Sequence, residues 1–107
     1  MTDTEFEALA ETALAAVERG IEAAGLDIDI QVKGAGVLEL EFQNGSKMIV
    51  NRHAAAREIW VAAKSGGFHF RHDGTAWRDT RDGAELFAAL SRLVSAQAGA
   101  PVTLTAA

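Results

Sequence analysis

The chain has 107 residues, 49% of them apolar, with no cysteine and a formal net charge of −5. That length sets one domain with one modest core, and the lack of cysteine excludes disulfides, thiolate metal sites, cysteine-held clusters and a cysteine nucleophile. The charge is uneven: residues 1–41 hold ten of the fifteen carboxylates against only Arg19 and Lys33, a balance of −8, whereas residues 42–107 hold eight bases against five acids, a balance of +3.

Thr4 and Glu7 read as the capping box of a first helix. Apolar positions follow at helical spacing: Phe6, Leu9, Ala10, Ala13, Val17, Ile21 and Ala24. Gly25 is its natural stop. Gly20, inside it, costs roughly 1 kcal/mol against Ala unless something packs closely there. The period then changes to two. Ile28, Ile30 and Val32 alternate with polar residues, and Leu38, Leu40 and Phe42 alternate with Glu39 and Glu41, giving two half-buried strands around Gly34-Ala35-Gly36. Asn44-Gly45 is a hairpin turn leading to a third strand, Lys47 to Arg52. Glu58 to Lys64 is a fourth, with Ile59, Val61 and Ala63 on one face and Trp60 and Ala62 on the other. Ser65-Gly66-Gly67 turns into Phe68 to Arg71, and Asp73-Gly74 turns into Thr75 to Arg78. Asp82 with Glu85 caps a second helix, whose stripe is Leu86, Phe87, Leu90, Leu93 and Val94. Gly99 and Pro101 end it, before a short extended tail, Val102-Thr103-Leu104.

The order is helix, about six strands, helix, with hairpin signals that make the sheet mostly antiparallel. Two amphipathic helices cover one face of such a sheet, so the expected fold is α+β, a two-layer sandwich. The other sheet face is left to solvent. The longest apolar runs fall well short of the ~20 residues of a membrane span. The acidic, amphipathic start is the opposite of a targeting segment, and the expectation is a complete cytoplasmic bacterial protein. A Lys/Arg footprint for nucleic acid is missing.

Glu7, Glu11, Glu18 and Glu22 fall within about 60° of arc on the first helix, away from its apolar stripe. Asp27 and Asp29 follow just after it. Together they form a ridge of hard oxygen donors suited to iron, Mg²⁺, Ca²⁺ or Mn²⁺. No EF-hand loop, HExxH or Glu-x-x-His pair closes a coordination sphere, so metal binding on this ridge is expected to be weak and poorly selective. The alternative is a solvated helix face that keeps the chain soluble. Trp60, opposite Ile59 and Val61, falls on the open sheet face, where a Trp is a common anchor for a protein partner; burial by neighbours such as His69 or Trp77 is the competing reading. Asn51 and Arg52 lie close by in the preceding strand. His53, His69 and His72 have no metal-type spacing, and no nucleophile–base order or phosphate loop suggests catalysis.

Asn44-Gly45-Ser46-Lys47, Val50-Asn51-Arg52, Ile59-Trp60-Val61-Ala62 and Gly66-Gly67-Phe68-His69-Phe70, in this order, resemble the bacterial frataxin family, the CyaY proteins. Asp3-Thr4-Glu5-Phe6 and Asp82-Gly83 also fit, so the resemblance covers essentially the whole chain. It implies two helices on an antiparallel sheet and a non-enzymatic, iron-binding regulator of iron–sulfur cluster assembly. Iron (Fe²⁺ or Fe³⁺) would bind weakly at Glu18, Glu22, Asp27 and Asp29, with Glu7 and Glu11 on the same helix face. The implied partners are the cysteine desulfurase and its scaffold protein, met partly by Asn51 and Trp60 with Arg52 beside them. Arg19, Ala23 and Gln31 stand where some relatives carry further acids, which thins the ridge, and His53 replaces a Gln common in relatives. A monomer is expected. The alternatives are an iron-storing, ferroxidase-type oligomer and an acidic interaction module with no physiological metal.

Overall fold

The computed structural model describes residues 1–106, so Ala107, the last residue of the expected domain, lies outside the described residues. Helix α1 (Asp3–Ala23) is followed by strands β1 (Ile28–Lys33), β2 (Val37–Phe42), β3 (Lys47–His53), β4 (Glu58–Ala63), β5 (Gly66–His72) and β6 (Trp77–Asp79), then helix α2 (Leu86–Ala98). The strands form one sheet in the order β1-β2-β3-β4-β5-β6, every neighbour antiparallel. Both helices pack on this sheet, which bears out the expected α+β sandwich.

Alternation divides the sheet as the period-2 pattern requires. Leu38, Leu40 and Phe42 of β2, Met48 and Val50 of β3, Ile59 and Val61 of β4 and Phe70 of β5 are buried against the helices. From α1 they meet Phe6, Ala10, Ala13, Leu14, Ala16, Val17 and Ile21, and from α2 Leu86, Phe87, Leu90 and Val94. Each large apolar side chain fully buried in this way contributes about 1.5–3 kcal/mol.

The helix ends differ from the sequence expectation. The capping box is Thr2 with Glu5, not Thr4 with Glu7: the Glu5 N–H donates to Thr2 Oγ1 at 3.1 Å, and the Thr2 N–H donates to Glu5 Oε1 at 2.9 Å. Helix α1 thus begins earlier, and Glu7 is free to act elsewhere. The cap of α2 is Glu85 itself, which accepts the Phe87 and Ala88 N–H groups at 2.8 and 3.1 Å. Asp82 instead accepts the Ala84 N–H within the preceding turn.

Gly20 has its reason in the tail. A Cβ there would lie 2.6 Å from Leu104 Cδ2. Leu104 and Val102 are buried, and their N–H groups each donate at 2.8 Å to a serine hydroxyl of α2, Ser91 and Ser95 respectively. The extended tail therefore closes over both helices. Buried Gln97 fastens the C-terminal end of α2 to the sheet, donating to Lys47 O and Ser46 Oγ and accepting the Lys64 N–H.

Candidate interaction surfaces

The expected ridge lies along α1 and the start of β1, but its members have different surroundings. Glu11 and Glu18 overhang a groove of about 410 Å³ between α1 and the β1–β2 hairpin, floored by Leu14, Val32 and Val37. Val32 is 59% exposed although it shares the helix-side face with its register partner Leu38, because the groove separates it from α1. Glu22, Asp27 and Asp29 are exposed. Among the described residues, none of Glu11, Glu18, Glu22, Asp27 and Asp29 has a basic side chain within 4.0 Å.

Glu7 is different. It pairs with Arg52 Nη1 at 2.7 Å. This corrects the placement of Arg52 beside Asn51 and Trp60. Arg52 stands one residue after Asn51 in β3 and so points to the opposite face, where its register partner is the buried Ile59. Its side chain passes over Gly36, whose φ is 93° and where a Cβ would lie 2.6 Å from Arg52 Nε. Arg52 thus belongs with the ridge and neutralises its first member.

Across β1 and β2 the register sets Asp29 directly opposite Glu41 and Gln31 opposite Glu39. Like charges so placed repel, and Glu41 extends the acidic surface beyond the residues singled out in the sequence. Glu39 is held below the ordinary carboxylate value by hydrogen bonds from Lys33 and Lys47 on the flanking strands. It is therefore already committed to internal partners. Among the described residues no three His, Asp or Glu side chains converge as a metal site would require.

On the sheet face free of helices, Asn51, Trp60 and His69 stand in one row across β3, β4 and β5. The Trp60 indole lies between two imidazoles, His53 at 3.7 Å between ring centroids and 14° between planes, and His69 at 4.4 Å and 9°. Trp60 is half-buried as a result. The helix-free side was expected from alternation, and burial by His69 was the competing reading; both contribute. Trp77 takes no part, being buried on the other face with its ring edge-on to Phe6.

Beneath the stack lies Glu58, a residue the sequence did not single out. It is 5% exposed, accepts Trp60 Nε1–H at 2.8 Å and Arg71 Nη2–H at 2.6 Å, and has His69 Nδ1 at 3.7 Å. Burial by itself pushes its carboxyl up. The bonds from Trp60 and Arg71, with the charges of Arg71 and His69, outweigh that and hold it below its ordinary 4.5. Glu58 thus stays ionised at neutral pH and fixes the indole orientation. Its signal in the sequence is only its spacing, two residues before Trp60 on the same strand face.

Comparison with known proteins decides the family. A family model described as the frataxin-like domain matches residues 1–100. The chain belongs to the frataxin-like family. It is similar to the "iron-sulfur cluster assembly protein CyaY" of Dechloromonas aromatica, 58% identical over 104 residues, covering 97% of this chain and 99% of the relative. The protein of the same description from Janthinobacterium sp. is 56% identical over 108 residues, covering 97% and 96%. A solved frataxin from Psychromonas ingrahamii superposes with a TM-score of 0.89 at 33% identity, covering 98% of this chain and 99% of that one. No helix among the described residues is long and apolar enough to cross a membrane.

Proposed function

We propose that this frataxin-like chain acts in iron–sulfur cluster assembly as a binding regulator rather than a catalyst. Its ridge is the surface for iron, received as cargo, and for a basic patch of the cysteine desulfurase; the Trp60 face meets the scaffold protein. The relatives' description as cluster assembly proteins supports the pathway. The observation that carries the division of labour is the contrast in charge pairing. Among the described residues, Glu11, Glu18, Glu22, Asp27 and Asp29 have no basic side chain within 4.0 Å, so their field acts outward on cations and basic surfaces.

Carboxylate oxygens fit iron by hardness. With no three donors converging among the described residues, an ion meets them one or two at a time and keeps most of its water. The affinity expected is micromolar or weaker, about −8 kcal/mol or less in magnitude. The same lack of convergence favours a second reading, in which the ridge serves as a docking surface with no physiological metal.

The test is the rate of cluster assembly by purified desulfurase and scaffold, with and without this protein. The proposed role requires a changed rate that Glu18→Lys with Glu22→Lys reduces. An unchanged rate removes the regulatory role. A changed rate that is indifferent to whether the ridge has been loaded with Fe²⁺ selects the second reading.

A further inference from the structure

Arg71 on β5 and Arg78 on β6 are register partners, directly opposite each other on the helix-free face. Like charges in that position destabilise a sheet, and here the compensation is incomplete. Glu58 takes one N–H of Arg71, and a guanidinium carries five. Asp73 lies 3.4 Å from Arg78 Nε, at the limit of a hydrogen bond, while its other oxygen is occupied by the Thr75 and Ala76 N–H groups at 2.8 and 2.9 Å. Both arginines remain well exposed, with side chains 66% and 47% accessible. Beside them lie the half-exposed edge of His69 and the flat Trp60 plate, whose orientation Glu58 and His53 fix.

We propose that this end of the open face is a docking surface for an acidic segment of a protein partner, whose carboxylates are received by Arg71 and Arg78 while an apolar neighbour lies on the Trp60–His69 stack. The inference rests on the reading of the Trp60 face as a partner surface and states the chemistry that face accepts. Charge complementarity carries it: a paired set of planar donors is suited to bidentate carboxylates, and the aromatic plate supplies contact area at little entropic cost.

The probe is a fluorescein-labelled 12-residue peptide of alternating Glu and Ala with one central Phe, titrated with the full chain at pH 7. Arg78→Glu is expected to weaken binding about tenfold or more, and Arg78→Gln less. Arg92→Glu, an exposed base on α2, leaves it unchanged. Denaturant unfolding of each variant shows that the fold survives, and the solvent-exposed Arg78→Gln keeps the test open should the reversal not fold. Equal binding by wild type and both Arg78 variants overturns the proposal. So does tripolyphosphate displacing the peptide at equal charge concentration, which marks a small-anion site. Cluster assembly with Trp60→Ala separates the two levels. Lost modulation with Arg78-independent peptide binding removes this inference alone, and intact modulation with Arg78-dependent binding removes only the assembly role of the face.

Discussion

The ridge and the sheet face are two surfaces of one small domain that treat charge in opposite ways. On the ridge, among the described residues, only Glu7 has a basic partner, Arg52, and the other five singled-out carboxylates face solvent without one. On the sheet face buried Glu58 accepts one hydrogen bond on each oxygen, from Trp60 and Arg71, beside a three-ring stack. The first arrangement gives long range and little geometry, which suits steering and weak ion capture. The second gives geometry at short range, which suits a docking anchor. The difference teaches that a charge balance of −8 over residues 1–41 says where attraction begins, not where specific contact is made.

The comparison breaks most readily at Trp60. Trp60→Ala is expected to cost at least about 2 kcal/mol of partner affinity. Its stability cost should stay below the ~3–5 kcal/mol of a core Trp, because the ring is only half-buried. Unfolding curves beside a pull-down with scaffold and desulfurase measure both; a core-sized stability loss with normal binding by the folded fraction would return Trp60 to a structural role.

Glu58→Ala sharpens the contrast from below. It removes the acceptor of the Trp60 indole N–H, and a loss of about 2 kcal/mol in stability is expected, together with altered Trp fluorescence. Because the folded carboxyl lies below 4.5 and an unfolded one lies near it, this contribution is complete above about pH 4.5. It is lost as pH falls through the folded value. Glu58→Gln should therefore flatten the acid limb of the stability curve below pH 4.5, as read by urea midpoints between pH 3 and 7.

Reversing Glu18 and Glu22 to Lys is expected to weaken desulfurase binding by about 1 kcal/mol at low ionic strength, with the effect fading as salt is added. Stopped-flow association rates from low to physiological salt check this. Neutralising the same two residues to Gln should change stability by no more than about 0.5 kcal/mol, since neither makes an ion pair among the described residues. A large loss on thermal unfolding would mean that the ridge is part of the scaffold of the fold.

Much of this contrast is visible in the sequence. Alternation in Leu38–Phe42 and Ile59–Val61 set the buried face, and with it the side on which Trp60 stands. Asn44-Gly45 marked the hairpin, and Gly45 has φ 85°. What escaped depends on contacts distant in the chain. Arg52 is adjacent to Asn51 in sequence, yet a one-residue step along the strand reverses the face. The His53–Trp60–His69 stack requires the registers of two hairpins at once, and a charged residue such as Glu58 reads as solvated until Trp60 and Arg71 are placed over it. The capping box lies two residues earlier than the sequence suggests, because Thr2-Asp3-Thr4-Glu5 and Thr4-Glu5-Phe6-Glu7 carry the same signature. Gly20 announced a close approach, but only the fold supplies Leu104.

The central claim is that both surfaces act on cluster assembly, one through its field and the other through its geometry. Its most direct test is the assembly rate with desulfurase and scaffold at low and physiological ionic strength, for wild type, Glu18→Lys with Glu22→Lys, and Trp60→Ala. The expected result is loss of modulation in both variants, with that of the ridge variant largest at low salt and that of Trp60→Ala independent of salt. Full modulation by both variants at both salt concentrations would contradict it.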